Sequence, residues 1–380
     1  VCQNRLWNLA SATEYGLVSL PSILSALEYF ELSLDHQKEH QDCNAQTCLF
    51  SDLNTTMVKQ YDLCQKGNCG KIVCDPSELD GPQDDTASWV WTVRDPSGGQ
   101  EVTEQPTVAK VTDTKYLAIS HVWSDGTGIG LEEPGHVNKC LFRFFANYAM
   151  ELDCDGIWWD TICIPTDREK KKKALSRMHE NFSRATHTLV HDRDLVNFSW
   201  RNDGSPCLAL ALSTWFTRGW TALELYASES VKILFRGKDG TPIYKDLDKD
   251  ILTSRRNTLA HPAWVAVSAV IKRVRGHLID DGSESVVSHI LAILGPRHTC
   301  WIQDRIFIAS LMVDMRRDTT NNSDRTANVG NIQSAFNQAK ITQAILNKCG
   351  RVPSSTLLHG QTTIRTAGPW SWCPVSLFDL

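Results

Sequence analysis

No stretch of this 380-residue chain approaches the ~20 uninterrupted apolar residues a membrane-spanning helix needs, so no membrane span is expected. Positive charge is not in surplus either. Lys and Arg number 39 against 44 Asp and Glu, a net charge of -5, which leaves no electrostatic footprint for nucleic acid. The first residues, VCQNRLWNLASATEYG, contain no basic segment followed by an apolar block, so no secretory leader is expected. GxxxxGK[ST], GxGxxG, GxSxG and HExxH are all missing, and GKDGTPIY (237–244) has glycines without a phosphate-binding pattern. P-loop ATPase, kinase, Rossmann dehydrogenase and lipase readings are therefore weak.

What is abundant is cysteine and tryptophan, 13 of each. The cysteine count is odd, and the seven beyond residue 74 are scattered, mostly in apolar context. In a chain of this size that pattern reads as reduced and cytoplasmic, not as a disulfide scaffold. Several tryptophans adjoin polar residues, as in GIWWDTIC and WFTRGW, where a large ring can wall a pocket.

The length argues for about two domains, or one with large additions. Residues 1–75 hold an amphipathic stretch, LPSILSALEYFELSL, and then a Cys/His-rich segment; residues 76–114 are dense in turn formers and read as connecting structure. From about 115 to 250 a βα rhythm appears. KYLAIS, GIWWDTICI (stopped by Pro165), THTLVHD and VKILFRG read as strands. DREKKKKALSRMHENFSRATH reads as one helix, capped by Asp167, with Leu175, Met178, Phe182 and Ala185 as its buried stripe and a solvated lysine run at 170–173. Residues 251–380 read as helical. The expectation is an α/β fold with a mostly parallel sheet, helices on both faces, an N-terminal Cys/His-rich segment and a helical C-terminal region. Ligands in such sheets sit at the carboxyl ends of the strands, where SHVWSDGTG (120–128) falls.

Three blocks occur in order: YLAISHVWSDGTG; GIWWDTICIP followed by KKALSRMHENFSRATHTLVHD; and STWFTRGWTALELYAS. Together they resemble the fungal heterokaryon-incompatibility (HET) domain over roughly residues 115–237, and RHTCWIQDRIFIASLM and GPWSWCPVSLFDL resemble segments that follow it. The resemblance implies a flavodoxin-like fold related to Toll/interleukin-1-receptor (TIR) domains. It implies a role in fungal non-self recognition and programmed cell death, with self-association or a HET/TIR-like protein as partner. It also implies possible hydrolysis of NAD at the nicotinamide–ribose bond, with Glu224 as the matching acid. HET blocks often read closer to RRWTLQE; here Gly219 stands where the second arginine is common, with Ala222 and Leu223 in place of the usual pair.

Nicotinamide leaves from a pyridinium and needs no proton, so one carboxylate that offsets an oxocarbenium-like ribosyl cation suffices chemically. Glu224, four residues after Trp220 on one helical face, suits that task, or is an ordinary helix glutamate paired with Arg218. In the first loop Trp123 can stack on nicotinamide or adenine, and glycines such as Gly126 let amides approach phosphate. His121 can position a water or ribose hydroxyl, or be a satisfied core histidine. Ser120 and Asp125 share that loop. Asp160 ends the second strand, either to bind ribose or to cap a helix and pair with Arg218. The alternatives are a non-catalytic interaction module, or a biosynthetic enzyme using the pocket for an apolar substrate.

A second constellation lies near the start. Cys43 and Cys48, and Cys64 and Cys69, each have four residues between them. Paired soft ligands on short loops suit tetrahedral zinc. The expected ligands of one structural zinc are Cys43, Cys48, Cys64 and Cys69, with His40 or Cys74 as replacements; buried thiols and disulfides are the alternatives.

Overall fold

The computed structural model describes residues 1–31, 40–48, 58–64, 69–75, 88–94, 102–128, 133–165, 167–253, 260–276, 286–318, 338–350, 352 and 359–379. The turn-rich stretches 76–87 and 95–101, and residues 331–337 of the region read as helical, lie outside these. The chain divides into two compact units, both discontinuous in sequence. The first comprises Val1–Asp52, Phe216–Tyr226 and Arg256–Leu380; the second comprises Leu53–Trp215 and Ala227–Arg255.

The described residues of the second unit form nine strands: β1 (Lys71–Val73), β2 (Trp89–Thr92), β3 (Val108–Lys110), β4 (Tyr116–His121), β5 (His136–Asn138), β6 (Gly156–Trp159), β7 (His187–His191), β8 (Val231–Arg236) and β9 (Pro242–Asp246). Seven form one sheet in the order β3-β2-β6-β4-β7-β8-β9, and β1 pairs with β5 in a separate ribbon. The four strands expected from the sequence are its parallel centre, β6-β4-β7-β8. All six residues of β4 and all four of β6 are buried, as strands covered on both faces must be. Counted in chain order among themselves, these four lie 2-1-3-4, the order that opens a flavodoxin-type doubly wound sheet.

The sheet is less parallel than the sequence suggests. β2 and β3 add to one side and β9 to the other, all antiparallel. These flanking strands run only three to five residues, and β3 and β9 are half-buried, so neither leaves a long apolar run to read. The apolar run GIWWDTICI is not all strand. It turns into a short helix at Asp160–Cys163, because the strand has reached the sheet's carboxyl edge and the Asp160 carbonyl accepts from Ile164 N at 3.0 Å. The expected long helix is two, Arg168–Ser176 and Met178–Ser183, broken at Arg177 (φ -107°, ψ 5°). Asp167 caps the first as anticipated, accepting from the amides of Glu169 and Lys170. Met178, Phe182 and Ala185 are buried, whereas Leu175 is half-buried.

The described parts of the first unit are mainly helical: Gln3–Ala12, Leu20–Tyr29, His261–Val274, Val286–Leu294, Ile302–Asp318 and Gln338–Cys349, together with most of Gly219–Ala227. No helix among the described residues is long and apolar enough to cross a membrane.

Candidate functional site

The doubly wound order places a switch point between β4 and β7, where crevices form at the carboxyl ends of such strands. His121 ends β4 opposite His191, which ends β7, and Asp160 follows β6 directly. These three chain ends bring two groups of carboxylates into the second unit's sheet edge.

The first group centres on Asp160. Its Oδ1 lies 2.6 Å from Nε2 of His121 and accepts from the Thr161 hydroxyl at 3.2 Å; its Oδ2 accepts from Trp123 Nε1 at 2.8 Å. Nδ1 of His121 lies 2.7 Å from the Thr127 hydroxyl. That hydroxyl donates to the Val122 carbonyl at 3.1 Å, so it accepts from His121, and Nδ1 carries a proton. Trp159 Nε1 also approaches Nε2 of His121, to 3.0 Å. Nε2 can either accept from Trp159 while Asp160 keeps a proton, or donate to an ionised Asp160. The second arrangement fits the carboxylate's surroundings. Burial disfavours its charge, but the charge and hydrogen bond of His121, with the donors Trp123 and Thr161, outweigh burial and hold Asp160 below the usual carboxylate range. The side chains of His121 and Asp160 are 2% and 14% exposed, so this is a packed hydrogen-bonded pair and not an open pair of ligand-seeking groups.

The second group is Asp125, Asp192 and Asp194. Asp192 caps the helix Arg193–Asn197, accepting from Leu195 N at 3.1 Å, and its other oxygen accepts from Trp215 N at 2.8 Å. Asp125 Oδ2 accepts from Arg193 N at 2.8 Å. Backbone amides are partners enough for geometry but bring no counter-charge equal to an imidazolium. Burial and the Asp194 charge push Asp125 up to about 6, against the Arg193 amide. Burial, with the charges of Asp125 and Asp194, raises Asp192 well above the usual range. Burial and the neighbouring His121 drive His191 down to about 3, so it stays neutral.

Other predicted residues have specific local tasks. Ser120 is fully buried and its hydroxyl accepts from Trp215 Nε1 at 2.7 Å. Gly126 has φ +78°; its amide donates to Trp123 O at 3.2 Å and its carbonyl accepts from Tyr61 N at 2.8 Å. A Cβ there would sit 3.0 Å from Lys59 O, and one at Gly128 would sit 2.8 Å from Cγ of Trp123. Close approach of residues 59–61 and of the Trp123 ring is what these glycines permit here.

The remaining three belong to the first unit. Glu224 is buried, 5% exposed, on the helix Gly219–Ala227 beside buried Ala222, Leu223 and Leu225. Trp220 Nε1 donates to Asp304 at 2.9 Å and its ring meets Phe307 edge-on. Arg218 donates to Cys300 Sγ at 2.9 Å. Gly219 N donates to His298 O at 2.8 Å, and a Cβ on it would lie 2.6 Å from Cγ2 of Thr299. That close backbone pairing accounts for glycine at this place. Arg297 stands over the Phe216 ring, and its guanidinium donates to the Phe216 carbonyl. Burial lowers it to about 9, and it braces the approach to the Glu224 helix.

The cysteine pairs do not form the single expected centre. Cys43 and Cys48 cluster with Cys2 and His40, whereas Cys64 and Cys69 cluster with Asp62 and Cys140. Each Cys-x4-Cys pair is joined by a near neighbour, His40 or Asp62, and by one cysteine distant in sequence, Cys2 or Cys140. Cys74 is buried in neither cluster. Both groups could hold a metal ion. None of the thirteen cysteines is placed in a disulfide. In the first cluster the Cys48 hydrogen bond draws the Cys2 thiol down to about 4, despite its burial; in the second, hydrogen bonds with Cys69 and Cys140 push Cys64 up to about 12.

Sequence reasoning missed Thr127, Trp159, Asp192, Asp194, Cys2 and Cys140. For Asp192 a signal existed: it ends THTLVHD, at the same strand terminus that drew attention to Asp160. Thr127 and Cys140 carry no local signal.

Comparison with known proteins falls on this same edge. Residues 116–197 match the family model described as Heterokaryon incompatibility protein (HET). The chain is 30% identical over 133 residues to the Vegetative incompatibility protein HET-E-1 of Podospora anserina, a stretch covering 32% of this chain. That stretch amounts to about a tenth of the relative's length. No solved structure matches the chain.

Proposed function

We propose that the chain acts in fungal incompatibility, the non-self response that ends in cell death, through its HET-type α/β unit. One observation carries this reading. The family match runs from the first residue of β4 to the last residue of the helix Arg193–Asn197, and so encloses β4, β6, β7 and both carboxylate groups at their ends. In this reading the protein is cytoplasmic, TIR-like in its parallel centre, and regulated by self-association or a HET/TIR-like partner. The test is inducible expression of the chain in a filamentous fungus, scored for growth arrest and loss of viability. Arrest by the wild-type chain, and its weakening by Asp125→Asn at equal protein level, is expected; vigorous growth under strong expression would sink the reading.

The finer form of the proposal is catalytic. A buried glutamate on a largely apolar helix can offset the ribosyl cation formed as nicotinamide leaves NAD, with water completing the hydrolysis. Glu224 is the residue assigned that role; Arg218 and Trp220, in the same unit, are the further residues proposed toward the nucleotide. Nicotinamide release from NAD by purified, self-associated protein, abolished in Glu224→Gln, is the expected result. Equal release by both proteins removes Glu224 from the chemistry. A non-catalytic interaction module is the second reading, favoured by the closed pairing of His121 with Asp160.

A further inference from the structure

The two Cys-rich clusters fit neither disulfides nor ordinary core thiols. The Cys43–Cys48 and Cys64–Cys69 sulfurs lie 3.8 and 3.6 Å apart, far beyond the ~2.05 Å of an S–S bond. Four donor atoms converge in each group, all within 4.8 Å of one another. Core packing alone has no reason to point three thiols and an imidazole nitrogen at one spot.

A single ion explains the spacing. Zn–S bonds of about 2.3 Å and Zn–N bonds of about 2.0 Å, at tetrahedral angles, set two sulfurs about 3.8 Å apart and sulfur and nitrogen about 3.5 Å apart. In the first cluster Cys43 and Cys48 stand 3.8 Å apart, and Nδ1 of His40 lies 3.4 and 3.5 Å from them. For a carboxylate ligand at about 2.1 Å the sulfur–oxygen spacing becomes about 3.6 Å. In the second cluster Cys140 Sγ and Asp62 Oδ1 are 3.6 Å apart. Backbone amides also donate to these sulfurs: Leu63 N to Cys140 Sγ and Cys140 N to Cys69 Sγ, both at 3.3 Å. Such donors spread thiolate charge around a metal centre.

We propose that the chain binds two zinc ions, one through Cys2, His40, Cys43 and Cys48 and the other through Asp62, Cys64, Cys69 and Cys140. Each centre has four protein ligands and no open position, so its role is structural. The first fastens residue 2, at the start of the helix Gln3–Ala12, to the loop at 40–48. The second fastens residues 62–64 and 69 to the helix Lys139–Glu151, which lies within the stretch that matches the HET family. Their exposure differs. Cys2, Cys43 and Cys48 are buried, while Cys64 is exposed and the second cluster borders a cavity of about 500 Å³ that also reaches Lys139 and Arg143. A chelator therefore reaches the second ion first.

Metal analysis of the purified full chain tests this without any activity. Two zinc ions per chain are expected, falling to one in Cys48→Ser, one in Cys140→Ser and none in the double variant. Cys154→Ser, a buried thiol outside both clusters, keeps two. Should a variant prove insoluble, the wild-type protein loaded with cobalt decides. Two equivalents with the intense thiolate absorption of tetrahedral cobalt, released by chelator in two phases, support the proposal. One ion or none per wild-type chain, or a Cys140→Ser protein with undiminished zinc, overturns it. Such a failure leaves the incompatibility role and NAD cleavage standing, since neither readout depends on metal content.

Discussion

Asp160 and Asp192 both follow the carboxyl ends of parallel strands in one sheet, both are shielded from water, and they have opposite electrostatic fates. Asp160 faces an imidazole, an indole N–H and a hydroxyl, and its carboxyl is held low. Asp192 faces two amides and two further carboxylates, and is driven high. Burial pushes both the same way. What separates them is whether a full counter-charge stands within hydrogen-bond reach. The β4–β6 side of the switch point is thus closed by the His121–Asp160 hydrogen bond, while the β4–β7 side holds acids that resist ionising together.

The hardest blow to this contrast is His121→Ala. It strands Asp160 with neutral donors only, and removing one partner of a buried pair costs ~3–5 kcal/mol. Urea denaturation should show a loss of that order, with Asp160 titrating at higher pH by NMR. A loss under ~1 kcal/mol would mean that the pair does not form. Trp123→Phe is milder. It deletes one hydrogen bond to a charged oxygen, worth about 1.5–3 kcal/mol, and keeps most of the ring. The same denaturation experiment, with indole fluorescence following the lost tryptophan, measures it. Unchanged stability would place the Trp123 N–H in water and not on Asp160.

How much of this contrast can be read without coordinates follows from range in sequence. β4, β6, β7 and β8 are legible because each is an apolar run bounded by turn formers, and their carboxyl ends then point to His121, Asp125 and Asp160. The antiparallel strands β2, β3 and β9 are not, being short or half-buried and therefore without a clear period. Nor is the point where GIWWDTICI bends: Thr161–Cys163 is as apolar in helix as in strand, and only the sheet's edge decides. The Cys-x4-Cys loops are legible as pairs. Their assortment is not, since Cys2 and Cys140 approach from 41 residues before Cys43 and 71 residues after Cys69. Thr127 shows the same limit, because its hydroxyl fixes the His121 tautomer through a turn with no distinguishing composition. Thr127→Val keeps the side chain's shape but leaves the Nδ1 proton unaccepted, and should cost about 1–2 kcal/mol, with Thr127→Ser restoring most of it. Thermal melting of the pair checks this; equal losses in both would assign Thr127 a packing role alone.

The gentlest change is the most discriminating, because the two acid groups predict pH slopes of opposite sign. A depressed folded pKa, as at Asp160, supplies stability that is present above the unfolded value near ~3.9 and lost as pH falls through the folded one. A raised folded pKa, as at Asp125, supplies stability that is full below ~3.9 and lost as pH rises toward its folded value of about 6. Asp160→Asn should therefore cost most at pH 7 and least near pH 3. Asp125→Asn should do the reverse: near pH 4 it changes little, and by pH 7 it stabilises, since an amide no longer has to ionise among Asp192 and Asp194 while its oxygen still accepts from Arg193 N. Because Asp125 is half-buried, the gain is about 1 kcal/mol, below what its full shift would imply. Melting temperatures of the three proteins from about pH 3 to pH 8 read the slopes directly. Parallel curves would mean that the two carboxylates share one environment, and that the imidazole of His121 does not distinguish the sides of the switch point.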